Sequence, residues 1–240
     1  MAILIGIHPI AEALRANRPF DRVLIAKGSG GPRLQEIVDL CRQRSTPVRF
    51  EPRAALDRIA GSSAHQGVVA LGAARPYAEL RDVAPEAELL VVLDGVEDPH
   101  NLGAVIRTAN AAGAGAVVIP ERRAAGLTET VAKAAAGALE RLPVVRVANI
   151  SRALEELKAQ GYWVYGLDER GDTDYNRVEY SVPTVLVLGS EGKGLHQLVR
   201  RHCDVLVRIP LSGAISSLNV SVAAGITLFE WRRRRGARTS

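Results

Sequence analysis

Three stretches in the second part of the 240-residue chain combine polar side chains and glycine in patterns that could do chemistry. The first, residues 94–103 (DGVEDPHNLG), precedes a segment that carries Arg107. A planar guanidinium can bind a phosphate through two parallel hydrogen bonds, so Arg107 could position a phosphate-bearing substrate. In the structural alternative, Asn101 caps a helix and Arg107 is a solvated surface charge. This stretch alone does not decide between the two interpretations.

The second stretch, residues 188–195 (LGSEGKGL), holds three glycines within six positions. Glycines allow the backbone to turn tightly and to approach a ligand closely. The spacing matches neither a Walker A loop nor a GxGxxG dinucleotide fingerprint. A Gly-rich loop is often only a turn, but a turn does not require the carboxylate of Glu191, which therefore favours a binding site.

The third stretch, residues 209–225 (IPLSGAISSLNVSVAAG), leads from a predicted strand into a predicted helix. The free amide groups at the start of a helix favour polar ligands. A single serine, Ser217, would be enough to cap that helix. More hydroxyl and amide side chains are present than one cap needs, which favours a site: Ser216, Ser217, Asn219 and Ser221.

The elements around these stretches alternate between strands and helices, which predicts a parallel sheet with helices on both faces. Continuous apolar runs, typical of strands buried on both faces, are found at residues 89–93, 116–119, 144–147, 162–167, 184–188 and 205–209. Helical spacing occurs at residues 102–112, 130–138, 151–160, 195–201 and 217–231. In such sheets ligands bind beyond the carboxyl ends of the strands, and all three polar stretches follow a predicted strand.

The first 75 residues predict a separate, small α/β unit. Its strands are expected at residues 3–5, 22–26, 48–50 and 67–71, and its helices at 8–16 and 34–44. Residues 75–88 hold two prolines and an excess of acidic residues, which is typical of a linker. The predicted organisation is a first domain at 1–74, a linker at 75–88 and a second domain at 89–240.

Charge and composition narrow the class of protein. The net charge is +5, and the first 75 residues hold 11 Lys and Arg against 6 Asp and Glu, which permits binding to a polyanion such as RNA. No apolar run is long enough to span a bilayer and no signal peptide is visible, so we expect a cytoplasmic protein without a membrane partner. Two distant cysteines, with no CxxC or HExxH pattern, indicate that no metal is bound.

Taken together, the three stretches resemble the motifs of the SpoU (TrmH-type) ribose methyltransferases of the SPOUT class. The similar segments are DPHNLGAVIRTANAAG, LVLGSEGKGL and IPLSGAISSLNVSVAAGI, in that order. In the first domain, IGIHPIAEAL and HQG (residues 5–14 and 65–67) are similar to the RlmB-like subgroup, which methylates a guanosine of 23S ribosomal RNA. The resemblance covers nearly the whole chain.

The resemblance implies transfer of a methyl group from S-adenosylmethionine (AdoMet) to a ribose 2′-hydroxyl of ribosomal RNA. It also implies a trefoil knot near the C-terminus, a homodimer with active sites shared between subunits, and a first domain that resembles an RNA-binding ribosomal-protein fold. Matching positions would hold the cofactor: Leu188, Gly189, Ile209, Leu211 and Leu218. Others would form the catalytic set: Arg107, Asn101, Glu191, Ser217 and Asn219.

Arg107 is a poor general base, because a guanidinium stays protonated in proteins. We expect it to bind the neighbouring phosphate and to position the hydroxyl. A 2′-hydroxyl target makes RNA the substrate and excludes DNA.

Three alternatives remain open from the sequence. The chain could methylate the ribose of a transfer RNA as a member of the same family, or it could be a non-catalytic RNA-binding or ribosome-assembly protein. A nucleotide-dependent oxidoreductase on a doubly wound sheet is a third alternative, although no dinucleotide fingerprint follows the strand at residues 89–93.

Overall fold

The computed structural model describes residues 3–72, 76–190, 192, 194–213 and 217–236. The chain divides into two compact units. One comprises the residues up to 76 together with 126–129, and the other comprises residues 77–125 and those from 130 onward.

The first unit is built on a four-stranded mixed sheet. Its strands are β1 (Ile3–Ile5), β2 (Phe20–Ala26), β3 (Val48–Glu51) and β4 (Val68–Gly72), in the order β1-β4-β2-β3. Strand β4 runs antiparallel to β1 and β2, whereas β3 runs parallel to β2. Three helices accompany the sheet: α1 (Ile7–Arg15), α2 (Pro32–Gln43) and α3 (Arg53–Ala60).

Both faces of this sheet are covered, because successive side chains of a strand point to opposite faces. On one face, Val23 and Ile25 of β2 belong to an apolar cluster with residues of α1 and α2 such as Leu14. On the other face, Leu24 packs in a cluster with Leu56 of α3. The sequence did not predict α3, since Leu56 is its single fully buried residue and gives no periodic pattern.

The HQG segment has a structural role that its sequence did not reveal. Gln66 accepts a hydrogen bond from the backbone N–H of Ile7 through Oε1 at 3.0 Å, which satisfies a free amide at the start of α1. The Nδ1 of the fully buried His65 accepts from the N–H of Gly67 at 3.0 Å, and its Nε2 lies 2.9 Å from a carboxylate oxygen of Asp57. The bond between Gln66 and Ile7 joins the two segments of the first domain that carry the family resemblance.

The second unit contains a seven-stranded sheet in which all neighbouring strands are parallel. Its strands are β5 (Leu89–Asp94), β6 (Ala116–Pro120), β7 (Val144–Val147), β8 (Trp163–Leu167), β9 (Thr173–Asp174), β10 (Thr184–Gly189) and β11 (Val205–Arg208). They are arranged in the order β7-β6-β5-β10-β8-β11-β9. The predicted α/β class with a parallel sheet is confirmed.

The helices of this unit are α4 (Leu80–Val83), α5 (Pro99–Ala112), α6 (Glu129–Ala134), α7 (Ile150–Ala159), α8 (Gln197–His202) and α9 (Val220–Gly236), with single 3₁₀ turns at Ala84–Glu86 and Ala138–Glu140. Residues Leu90 and Val92 of β5 share a buried cluster with Leu154 of α7. Helices α5 and α9 pack against each other and contact β6 and β10 respectively. Burying each such Leu or Val contributes about 1.5–3 kcal/mol before the entropy cost of ordering the chain.

Several boundaries differ from the sequence predictions. Helix α5 begins earlier than predicted, at Pro99, and its cap is Asp98, whose carboxylate accepts from the N–H of Asn101 at 2.8 Å. Asn101 is therefore not the cap, but a residue of the first helical turn. Helix α9 begins at Val220 rather than at residue 217, and β9 was not predicted, because its two residues form no pattern.

The segment expected to be a linker contains regular structure. It includes α4 and the 3₁₀ turn Ala84–Glu86, and Ala78 pairs with Val145 next to the large sheet. The domain bounds at 74 and 88 stay predictions. The trefoil knot also stays a prediction, because residues 191, 193 and 214–216 lie outside the described part of the chain.

Neither cysteine belongs to a disulfide, and burial raises the pKa of the Cys41 and Cys203 thiols to about 12. Within the described residues, no group of three His, Cys, Asp or Glu side chains could hold a metal ion. Across the same ranges, no helix has the length and apolar character needed to cross a membrane.

Candidate functional site

The strand order of the large sheet reverses next to β5. From β5 the chain proceeds to β6 and β7 at one edge and then crosses to β8, and β10 later fills the place between β5 and β8. At this switch point the last residues of the two central strands, Asp94 and Gly189, are register partners. Loops diverge from such a point and leave a crevice, which is where ligands bind in open parallel sheets.

A cavity of about 810 Å³ opens at the carboxyl ends of the central strands. All five residues predicted to hold the cofactor line it, together with one of the predicted catalytic residues: Leu188, Gly189, Ile209, Leu211, Leu218 and Ser217. They come from the second and third polar stretches, which the fold therefore brings to one wall. The volume lies within the range of small-molecule sites.

Gly189 is required by a close approach of two backbone segments. Ser190 and Gly194 exchange backbone hydrogen bonds of 3.1 and 3.0 Å, so Gly194 lies against the end of β10. A Cβ atom added at Gly189 would lie 2.1 Å from the carbonyl carbon of Gly194, which leaves no space for any side chain. Position 189 therefore requires glycine, and Gly189 and Gly194 both line the cavity.

The wall formed by the ends of β8 and β11 is charged. Asp168, directly after β8, accepts a hydrogen bond from the N–H of Arg170 at 2.9 Å and lies 3.7 Å from the guanidinium of Arg200. Asp174 of β9 accepts from Nε of Arg208 at 2.9 Å. The cavity therefore offers apolar side chains and backbone groups on one side and paired charges on the other.

A second cavity of about 490 Å³ lies next to the first. It is lined mostly by polar residues: Gly95, Val96, Glu97, Asp98, Asn101, Arg123, Ser190, His196 and Val220. Ser190 and Val220 line both cavities, so the two spaces are separated only by shared wall residues. A ligand in one cavity would be a direct neighbour of a ligand in the other.

Two of the predicted catalytic residues are hydrogen-bonded to each other beside this second cavity. Asn219 donates through Nδ2 to Oδ1 of Asn101 at 3.0 Å. The Oδ1 of Asn219 accepts from the N–H and the hydroxyl of Ser221, at 2.9 and 2.6 Å, and thereby caps α9. The capping role considered for Ser217 belongs to Asn219.

The sequence did not reveal an Asp–His–Arg chain in the same cavity. Both carboxylate oxygens of the buried Asp94 accept from His196: Oδ2 from its backbone N–H at 2.7 Å and Oδ1 from Nδ1 of the ring at 3.0 Å. The other ring nitrogen, Nε2, lies 3.2 Å from a guanidinium nitrogen of Arg123. Asp94 and His196 are 102 residues apart, so no local spacing could have indicated this pair.

The remaining predicted site residues are not joined to this cluster. Arg107 lies on α5, six residues after Asn101, and its side chain is exposed. It lines neither cavity, and it makes no hydrogen bond or ion pair within the ranges that the structure describes. Glu191 lies outside the described residues.

The geometry defines the class of protein first: an α/β ligand-binding domain with its site at the switch point of a parallel sheet, together with a small mixed-sheet domain. Comparison with known proteins then gives the family. The model of the SpoU rRNA methylase family matches residues 88–229, and that of the RNA 2′-O ribose methyltransferase substrate-binding domain matches residues 3–78.

Similar proteins cover nearly the whole chain. A 23S rRNA (guanosine-2′-O-)-methyltransferase RlmB of Xanthomonas campestris is 46% identical over 239 residues, which are 97% of this chain and 96% of that protein. A protein of Bacillus subtilis named for the TrmH family of tRNA/rRNA methyltransferases is 43% identical, over 97% and 95% of the two chains. The crystal structure of the SpoU methyltransferase AviRb of Streptomyces viridochromogenes, in complex with AdoMet, superposes with a TM-score of 0.64 at 27% identity, over 98% and 90%.

The chain belongs to the SpoU family and is an RNA ribose 2′-O-methyltransferase. Its first unit is the substrate-binding domain of that family.

The contact at Gly189 gives a stability prediction. Gly189→Ala should lower the free energy of unfolding by about 1–3 kcal/mol or more, because its methyl group would overlap backbone atoms that cannot move independently. Gly213→Ala is the matched control, since it lines the same cavity but its added Cβ meets nothing within 4 Å. Urea denaturation of both variants measures the difference, and equal stability would contradict the close approach.

Proposed function

We propose that this chain transfers a methyl group from AdoMet to the ribose 2′-hydroxyl of a guanosine in 23S ribosomal RNA. The substrate is assigned from the 46% identity, over 97% of the chain, to a relative named for that reaction. Methylation of a transfer RNA is the second candidate, because the relative from Bacillus subtilis is named for both kinds of RNA. Ribosomal and transfer RNA would both be met in the cytoplasm, where we place the protein.

The larger cavity is proposed to bind AdoMet. We infer that the backbone groups of Gly189, Ile209 and Leu218 hold it, with Leu188 and Leu211 beside them, because these residues line one wall. Gly189 and Gly194, whose backbones approach each other closely, both line this cavity without a side chain. The AviRb structure contains AdoMet within the same overall fold. When bound, AdoMet supplies an electrophilic methyl group on a sulfonium sulfur.

The chain's own residues must then hold the hydroxyl in line with that methyl group, because orientation supplies much of the rate in such a transfer. We assign Asn101 and Asn219 to the support of the site, since their mutual hydrogen bond joins α5 to the start of α9 beside both cavities. Ser217 lines the cofactor cavity and completes the described part of the catalytic set. Glu191 is proposed from the sequence pattern alone.

Arg107 is proposed to bind the phosphate next to the target ribose and to position the hydroxyl. Its exposed guanidinium lines neither cavity of its own chain and is not engaged by other described residues, so it is available to a second molecule. This supports a homodimer in which Arg107 of one copy serves the cofactor cavity of the other.

The first domain, with its excess of Lys and Arg, is proposed to dock ribosomal RNA through phosphate contacts. Such contacts fix the position of the RNA without reading its sequence. The choice of guanosine would then be made in the second domain, beside the methyl donor.

The substrate can be mapped directly. In a strain that lacks this protein, we expect one guanosine of 23S ribosomal RNA to lose its 2′-O-methyl group while every transfer-RNA mark remains. Mapping of 2′-O-methyl groups by resistance to alkaline cleavage measures both RNA classes in one sample, because the modified ribose cannot cyclise. If a transfer RNA loses a 2′-O-methyl group while ribosomal RNA keeps all of its own, the second candidate is the correct substrate.

The shared site can be tested by mixing two inactive variants. Arg107→Ala would lack the positioning guanidinium, and Leu211→Trp would fill the cofactor cavity with an indole at a side chain that is 40% exposed and can accept it. If Arg107 acts across the dimer, re-equilibrated mixtures should recover about one quarter of the wild-type activity per chain, because half of the dimers are mixed and each has one complete site. Each variant alone is the control. No recovery after confirmed subunit exchange would place Arg107 in the site of its own chain.

A further inference from the structure

We propose that the second cavity receives the target ribose and that His196, held by Asp94, accepts the proton of the 2′-hydroxyl through Nε2. This inference rests on the proposed 2′-hydroxyl substrate and adds the proton acceptor that an arginine cannot provide. His196, Asp94 and Arg123 are not among the residues that the three sequence motifs assigned.

The hydrogen-bond partners determine the state of the ring. A carboxylate can only accept, so the contact with Asp94 requires a proton on Nδ1. A guanidinium can only donate, so the contact with Arg123 requires a free lone pair on Nε2. In this arrangement of partners the ring of His196 is a neutral imidazole with its lone pair on Nε2, and both His196 and Arg123 line the cavity. The position of the Arg123 donor, 3.2 Å from Nε2, marks where an incoming hydroxyl would donate.

Two backbone features support this arrangement. Gly95 has a φ of +87°, and a Cβ there would lie 3.3 Å from Cε1 of His196 and 3.4 Å from the Cβ of Ser190, so the glycine allows both side chains to lie close to the end of β5. Arg123 has a φ of +59°, a conformation that non-glycine residues rarely adopt and that clusters at functional positions. Gly95 and Arg123 both line the second cavity.

The position of the second cavity beside the proposed cofactor cavity also supports the proposal. The second cavity shares Ser190 and Val220 with the larger one, so a ribose there would adjoin the methyl donor. Other charged groups that face the second cavity are Glu97 and Asp98, of which Asp98 is already engaged as the cap of α5. Arg123 is exposed and could exchange its contact with Nε2 for a substrate phosphate when the hydroxyl arrives.

The O2′–CH₃ bond forms while the S–CH₃ bond breaks and its electron pair returns to sulfur. The O2′ proton passes to Nε2 of His196, and the resulting imidazolium is stabilised by the carboxylate of Asp94. Release of that proton to water restores the neutral ring.

The decisive variant is His196→Asn, because the amide nitrogen of asparagine can replace Nδ1 as the donor to Asp94 but provides nothing in place of Nε2. We expect the single-turnover rate on a 23S ribosomal RNA transcript, at saturating AdoMet, to fall about 100-fold, as is typical when a general base is lost. AdoMet affinity measured by calorimetry should stay unchanged. The wild-type rate should fall as the pH is lowered, because only a neutral imidazole can accept the proton, and the variant should lose that dependence.

His202→Gln is the matched control. This histidine also lies near a carboxylate, with Nε2 3.6 Å from Glu155, but it lines neither cavity, so its variant should keep the rate and the pH profile. A wild-type rate in His196→Asn would overturn the proposal, and so would a rate loss explained entirely by weaker AdoMet binding. If the wild-type chain itself shows no turnover on this RNA, the proposed substrate is wrong.

An independent readout does not need activity. The ¹⁵N shifts of the His196 ring should show a protonated Nδ1 and an unprotonated Nε2 at neutral pH, with assignment by comparison with His196→Asn. A proton on Nε2 would overturn the proposal whatever the RNA substrate proves to be.

Discussion

The parallel pairing of β5 with β10 is the constraint on which the rest of the site depends. It makes Asp94 and Gly189 neighbours at the carboxyl ends of the two central strands, although they are far apart in the chain. The first polar stretch therefore begins beside the end of β10, and Gly194 can approach that end only because residue 189 has no side chain. A shift of this register by one residue would turn every side chain of the strand to the opposite face. Both cavities would lose their common wall.

As a result of this arrangement, one cavity has backbone groups in its wall and the other is bounded mainly by polar side chains. The larger cavity is bounded by the backbone at Gly189 and by the chain before α9, which suits a cofactor held by amide and carbonyl groups. The smaller cavity is bounded by Asn101, His196 and Arg123, which suits a polar substrate. A methyl transfer needs both, because the donor is activated chemically whereas the acceptor hydroxyl must be oriented and deprotonated. The proposed role of His196 assigns the deprotonation of the hydroxyl to the Nε2 atom of this residue.

The fold, and the grouping of motif residues around one cavity, could be predicted from the sequence to a large extent. Continuous apolar runs such as that of β5 are typical of strands buried on both faces, and the motif residues Gly189 and Leu218 were expected at one site and line one cavity. Short elements could not be predicted, because β9 has two residues and α3 has a single buried side chain, which form no periodic pattern. Contacts between residues on different strands could not be predicted either. The pair Asp94 and His196 is created by the strand order, which no local spacing encodes.

The central claim is that the switch point of the large sheet is an AdoMet site, and a calorimetric titration of the full chain tests it most directly. AdoMet should bind with one site per chain, and NAD at the same concentrations should neither bind nor compete, because no dinucleotide fingerprint follows β5. Leu211→Trp should abolish the AdoMet signal, since the indole occupies the cavity. Binding of NAD, or AdoMet binding that Leu211→Trp leaves unchanged, would contradict the account.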